Sequence, residues 1–298
     1  MAFQVHDEQF WQVISPSAII KPMITGLGIT EGPVWHTRDQ HLIFSDLSSS
    51  TIHQWSPKDG ASILRRPSNL ANGNYLDHIG QVITCEHSTS SITRLDRTGR
   101  YVEVIASQYM GKEFNSPNDI ICDSQGRIWF TDPLFGRLNP RVGVIREAQL
   151  DFQGVFRIER NGKIKLIADD FEQPNGLCLS PDENTLFVND TSRSHIRQFK
   201  ISKDGSVMDD GIFAHISGEG EGNPDGMKID LDGRVYCTGP QGVHVLSNEG
   251  RLLGIIQTQA KTRNFCFGGD YLNTIYLAMH EMICSLQMNV AGISPTLI

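Results

Sequence analysis

Short apolar runs introduced by turn residues recur along the chain: "DQHLIFSD", "HIGQVITCEH", "SQGRIWFTDP", "DENTLFVND", "LDGRVYCTG" and "LNTIYLAM". Each reads as a strand entered through a tight turn, because Gly, Asp and Asn supply the backbone angles that turns need and β-branched and aromatic residues suit a pleated sheet. Setting Leu42, Val82, Ile128, Leu186, Val235 and Ile275 as equivalent gives spacings of 40, 46, 58, 49 and 40 residues. Between them lie further short segments, "STIHQWSP", "SSITRLDRTG", "GVFRIERNG", "HIRQFKISKDG" and "GVHVLSNEG", which alternate apolar with polar residues and predict additional strands. Several strands per unit at this period predict an all-β fold, a six-bladed β-propeller, because one such unit cannot bury both faces alone. The widest interval holds "LFGRLNPRVGVIREAQLDFQ", where no strand pattern holds, and it predicts a loop lying over one face. Residues 1–298 are expected to form one propeller domain, with residues 1–30 as an N-terminal arm that supplies the strand closing the ring.

Composition narrows the function classes. The 26 basic residues against 34 acidic ones leave a net charge of −8, which argues against a nucleic-acid partner, since that normally needs a basic face. A small-molecule partner is expected instead. The start, "MAFQVHDEQFWQVISPSAII", has no basic segment ahead of an apolar run and no long apolar stretch, so neither a signal peptide nor a membrane span is expected, and the cytoplasm is the expected location. The six cysteines sit mainly in apolar strand-like runs with no CxxC pair; reduced, buried thiols are expected rather than disulfides or a zinc site. Strand periodicity carries no information about oligomeric state.

The repeat frame also exposes candidate chemistry. Ten or eleven residues before the equivalent strand positions stand Glu31, Asn72, Asn118, Asn175, Asp225 and Asn264. Taken singly, "EG", "NG" and "DG" are ordinary turn pairs. Six oxygen-bearing residues in one register, each leading into an apolar strand, instead predict a ring around the central channel, where the innermost strand of each blade runs. Two carboxylates and several amides converging in a narrow channel call for a positive partner. One divalent ion fits: oxygen ligands favour calcium, magnesium or manganese, and zinc or ferrous iron also suits a small site.

The ordered motifs "TEGPVW", "NSPNDIICDSQGRIWFTDP", "QPNGLCLSPDENTLFVND" and "NPDGMKIDLDGRVY" resemble those of the SMP-30/gluconolactonase/LRE-like (regucalcin) family over nearly the whole chain after about residue 28. The resemblance implies a six-bladed propeller holding one divalent metal, calcium first among the candidates. It implies ligands at Glu31, Asn175 and Asp225, with Asn118 close to the metal and facing substrate, and an acid/base role for Asp225. "LANGNYLDHIGQVITCEHSTSSITRLD" and "FTDPLFG" are similar to segments of the bacterial gluconolactonase branch and imply Asn72, Asn74, Glu86, His87 and Asp132 near the channel mouth. The chain departs from that branch at "CEHSTSS", where Gly and Arg residues are common.

The chemistry expected of such a site is lactone hydrolysis to the open aldonic acid, with a cation polarising the carbonyl and a carboxylate assisting water. No GxSxG motif occurs, so no covalent acyl-enzyme is expected. Two rivals follow from other features. An aryl-ester or organophosphate hydrolase would need a more apolar pocket, for which Trp35, Phe135 and the segment from Leu134 to Leu150 are candidates. A non-catalytic metal-binding sensor or scaffold would bury its ion without access for water.

Overall fold

The structure, a computed structural model, describes residues 3–295; residues 1, 2 and 296–298 of the expected domain lie outside the described residues. Six antiparallel four-stranded meanders surround a central channel. Blade one comprises Thr30–His36, His41–Asp46, Thr51–Ser56 and Gly60–Arg65, and blade two Ala71–Leu76, Val82–Glu86, Ser91–Leu95 and Tyr101–Ala106. Blade three comprises Ile120–Cys122, Ile128–Asp132, Gln153–Ile158 and Ile164–Phe171, and blade four Pro174–Leu179, Thr185–Asp190, His195–Ile201 and Val207–His215. Blade five runs through Met227–Ile229, Val235–Gly239, Gly242–Leu246 and Leu252–Gln257, and blade six through Thr262–Gly268, Thr274–Met279 and Met282–Gln287.

Blade six obtains its outermost strand from the other end of the chain. Lys21–Thr25 pairs antiparallel with Met282–Gln287, Lys21 opposite Ser285 and Thr25 opposite Met282. Phe3–Val5 adds a fifth strand to the edge of blade five, with Phe3 opposite Ile256. Pairing these two N-terminal segments with strands near the C-terminus ties the ring across its seam. The six reference positions all fall in the second strand of their blades, and the alternating segments of the sequence form third strands.

The core consists of six layers, one between each pair of neighbouring blades. In blade one, Ile43 packs with Leu76, Val82 and Leu95 of blade two, whereas Leu42 and Phe44 pack with Cys266, Tyr276 and Ala278 of blade six. In blade three, Trp129 joins Leu177 and Leu186 of blade four, whereas Ile128 and Phe130 join Ile83 and Ile92 of blade two. Successive side chains point to opposite faces of a strand. A second strand covered on both faces must therefore be apolar at consecutive positions, which is why these strands read as continuous runs. Each fully buried Leu, Ile, Val or Phe contributes roughly 1.5–3 kcal/mol from removal from water. All six cysteines are free thiols, five buried and Cys122 partly so. Among the described residues no helix is long and apolar enough to cross a membrane.

Candidate active site

The ring positions sit where each innermost strand begins. Glu31, Asn72, Asn118, Asn175 and Asp225 line a cavity of about 170 Å³ at one mouth of the channel. The glycine that follows four of the ring residues serves close approach between blades. A Cβ on Gly32 would stand 2.1 Å from the Asn72 carbonyl oxygen, one on Gly73 2.5 Å from that of Asn118, and one on Gly176 2.1 Å from that of Asp225. The Gly73 and Gly176 amides donate to those same carbonyls, at 2.8 and 3.0 Å. Only glycine lets adjacent blades meet backbone to backbone here.

The second strands hold the ring from behind. The side chain of Ser45 donates to the Asn72 carbonyl at 2.8 Å, Thr131 to that of Asn175 at 2.8 Å, and Asn189 to that of Asp225 at 2.7 Å. Each polar residue in blades one, three and four thus fixes the backbone of the ring residue in the next blade.

At the cavity floor, Glu31 is 6% exposed. Its Oε2 accepts from the Gly32 amide at 3.0 Å and from Asn264 Nδ2 at 3.2 Å. Burial, reinforced by the charge of Asp225, pushes its carboxyl up to about 8. Asp225 is partly buried; loss of hydration raises it to about 6, with Arg263 and Lys261 pulling the other way. Asn175 donates through Nδ2 to Thr191 Oγ1 at 3.0 Å, while its Oδ1 is buried with no hydrogen-bond partner. The Asn118 side chain lines the cavity and makes no hydrogen bond within the described residues. Two carboxylates that burial disfavours as anions, beside a buried amide oxygen lacking a donor, form an oxygen set suited to a hard divalent cation.

His87 belongs to this wall. Its Nδ1 faces the Val142 carbonyl at 2.7 Å and its Nε2 faces Asn72 Nδ2 at 3.2 Å. A carbonyl can only accept, so Nδ1 carries the proton and Nε2 accepts from the Asn72 amide. Burial depresses the imidazole to about 4, and this neutral ring orients Asn72 rather than transferring protons near neutral pH.

The long segment between the second and third strands of blade three covers the cavity. It contains a one-turn helix, Phe135–Leu138, and contributes Phe135, Asn139, Arg141 and Val142 to the lining. Buried Arg137 fastens it: Nε donates to the Asn115 carbonyl at 2.7 Å, Nη1 to the Glu147 carbonyl at 2.7 Å, and Nη2 pairs with Glu113 at 2.9 Å.

Several sequence expectations land elsewhere. Glu86 does not line the cavity: it is 1% exposed and accepts from Arg65 at 2.7 Å, Asn69 at 2.8 Å, Thr89 at 2.7 Å and Thr93 at 2.8 Å. Asp132 also lies outside the lining, with Oδ2 accepting from the Asn115 amide at 2.8 Å, and burial pushes its carboxyl up to about 8. Both occupy the end of a second strand, as do Asp46, which accepts from the Gly28 amide at 3.1 Å, and Asp190, which accepts from the Glu172 amide at 2.8 Å. This row captures the loop that feeds its own blade. Asn74 is turned between blades one and two, donating to the Gly32 carbonyl at 2.9 Å and Ser45 Oγ at 2.8 Å. Asn264 lies beneath the cavity, accepting from Lys228 Nζ at 3.1 Å while holding Glu31. Trp35 stacks on Tyr276 at 5.2 Å and lines a separate, more apolar cavity of about 310 Å³. That cavity is larger, and the carboxylates on its lining, Asp123, Asp182 and Glu183, are bonded to Arg127, Asn184 and Ser124. Lining residues that repeat reasoning missed include Thr191, Asn223, Lys261, Arg263 and Arg141; the "KTR" run directly before the sixth ring position was the available signal for two of them.

Comparison with known proteins accords with this architecture. Residues 29–281 match the model of the SMP-30/Gluconolactonase/LRE-like region. The chain belongs to this family. A gluconolactonase of Zymomonas mobilis is 30% identical over 293 residues, covering 91% of this chain and 82% of that protein. A 6-deoxy-6-sulfogluconolactonase of Pseudomonas putida is 27% identical over 253 residues, covering 83% and 81%. Among solved structures, a gluconolactonase of Xanthomonas campestris superposes with a TM-score of 0.89 at 30% identity, over 97% of this chain and 95% of that one.

Proposed function

We propose that the protein is a sugar lactonase, hydrolysing the ring ester of a sugar lactone to the open hydroxy acid. The observation that carries this reading is the convergence of Glu31, Asp225 and the unpartnered Asn175 amide oxygen in a polar cavity of about 170 Å³. Gluconolactonases among its relatives support the substrate class. The lining favours a polyol over an aryl ester: the apolar Phe135, Val142, Ile29 and Leu47 are outnumbered by amide, hydroxyl and charged side chains.

Glu31, Asn118, Asn175 and Asp225 would hold one divalent ion, calcium or another oxygen-preferring metal. When bound, that ion supplies Lewis-acid polarisation of the lactone carbonyl. The chain's own groups account for the remaining steps. Asp225, partly exposed to the cavity, takes a proton from the attacking water as the water oxygen bonds to the carbonyl carbon. The ring C–O bond then breaks, and Asp225 returns the proton to the departing ring oxygen. Arg263 and Lys261 keep Asp225 available as a base by opposing the upward push of burial. Asn72, oriented by His87, and the free amide of Asn118 are placed to hydrogen-bond sugar hydroxyls, and the fastened 133–152 segment limits access of bulk water.

Titrimetric hydrolysis of a panel of sugar lactones and a simple aryl ester tests this, using metal-stripped protein with and without added divalent ions. Sugar-lactone turnover that needs the ion and drops by about 10²–10⁴-fold in Asp225→Asn, the usual range for loss of a general base, is the expected result. Ion binding without turnover of any lactone would instead make this a binding propeller, and preference for the aryl ester would move it to the other hydrolase class.

A further inference from the structure

Three basic side chains, Arg141, Lys261 and Arg263, line the cavity that holds Glu31 and Asp225. None of the three forms a salt bridge with a carboxylate among the described residues, although most of the other buried or half-buried arginines do. Arg263 Nε is buried and has no hydrogen-bond partner. Arg141 is exposed on the covering segment. With Glu31 and Asp225 ionised, the lining carries three cations and two anions, an excess of one positive charge; Asp119, whose charge also reaches both carboxylates, lies outside the lining and is paired with Lys228 at 3.7 Å. A divalent ion held by the carboxylates would raise that excess further. The chain as a whole carries −8, so a cationic cavity on an acidic molecule is a local feature, and such a field raises the local concentration of anions.

We propose that the substrate is an anionic sugar lactone, one bearing a carboxylate or comparable acidic group away from the reacting ester, and that Arg141 and Lys261 are specificity-determining residues that receive that group. The proposal rests on the lactonase reading and names its substrate class. Arg263, nearest the two carboxylates in its influence, balances the floor; Lys261 and Arg141 extend positive charge from there to the mouth. An uncharged lactone would leave that charge without a partner, whereas an acidic substituent gains charge-assisted hydrogen bonds.

The test uses a matched pair, D-glucaro-1,4-lactone and D-glucono-1,4-lactone, which differ by a carboxylate in place of a hydroxymethyl group. The expected result is a kcat/KM preference for the glucaro-lactone of about tenfold, equivalent to one good charged contact, expressed mainly in KM and diminished by added salt. In Arg141→Met and Lys261→Met the ratio of the two kcat/KM values falls toward one. Equal kcat/KM for both lactones in the unaltered protein overturns the proposal while leaving the lactonase reading intact. Where neither lactone is hydrolysed, calorimetric binding of D-glucarate against D-gluconate to the metal-free protein decides the anion site. Glucarate binding about tenfold tighter, with the preference lost in the two variants, sustains the site; equal affinities overturn it.

Discussion

His87 makes a quantitative claim about stability. In the fold its imidazole is held neutral, with its pKa lowered from 6.5 to about 4 by burial, while its two nitrogens are bonded to Val142 and Asn72. The unfolded chain binds a proton at this residue where the folded one does not. The stabilisation is therefore fully present above the unfolded value of 6.5 and lost as pH falls toward the folded value of about 4, below which both states are protonated and no more is lost. At about pH 5 the two titrations differ by a factor of roughly 30 in proton binding, or about 2 kcal/mol. Glu31, Asp225 and Asp132, all raised by burial, work in the opposite sense, gaining stability as pH falls. A comparison with His87→Gln cancels them. Urea denaturation of both proteins at about pH 8 and about pH 5 should show the unaltered chain losing about 2 kcal/mol more than the variant, with unchanged m-values. Equal losses in the two proteins would refute the neutral, doubly bonded imidazole on which the orientation of Asn72 depends.

Gly176→Ala would drive a methyl group to 2.1 Å from the Asp225 carbonyl; a loss of about 2–4 kcal/mol by thermal or urea unfolding is expected, together with a fall in kcat because Asp225 must shift. Asp190→Asn keeps the shape but weakens the capture of the amides of Glu172, Gln173, Ser192 and Arg193, and about 2–4 kcal/mol should be lost, since hydrogen bonds to a charged acceptor are the strong ones. Arg137→Met removes the buried fastener of the covering segment and orphans the carbonyls of Asn115, Phe114 and Glu147, while Glu113 keeps Arg146; destabilisation of about 2–4 kcal/mol is expected, with limited proteolysis cutting first between residues 138 and 150.

The propeller and its ring were legible because repetition carries both. The spacing of Leu42, Val82, Ile128, Leu186, Val235 and Ile275 located six second strands, and counting back from them reached five of the residues that line the cavity. The N-terminal arm was legible only as a need for closure: "KPMIT" has no strong periodicity, and its pairing with Met282–Gln287 is settled by tertiary packing. Arg141 was beyond reach for another reason. It sits in the one long segment with no counterpart in other blades, so no repeat frame assigns its direction.

Glu86 and Asp132 show where resemblance and register part. Both carry chemistry that a lactonase could use, and both stand within a few residues of true lining positions. Yet each lies four residues after its blade's reference position, as do Asp46 and Asp190, and the acids at those four places all point to the loop feeding their own blade. The residue just before, Ser45, Thr131 or Asn189, points the other way and holds the next blade's ring backbone. Neighbours on a strand face opposite sides, so a one-residue offset separates a group that supports the site from one that closes a loop. The pairs "SD", "TD" and "ND" recorded both tasks in the sequence. The ring depends on them: its side chains can converge on one cavity because a second row fixes their carbonyls and a third fixes the loops from which they emerge.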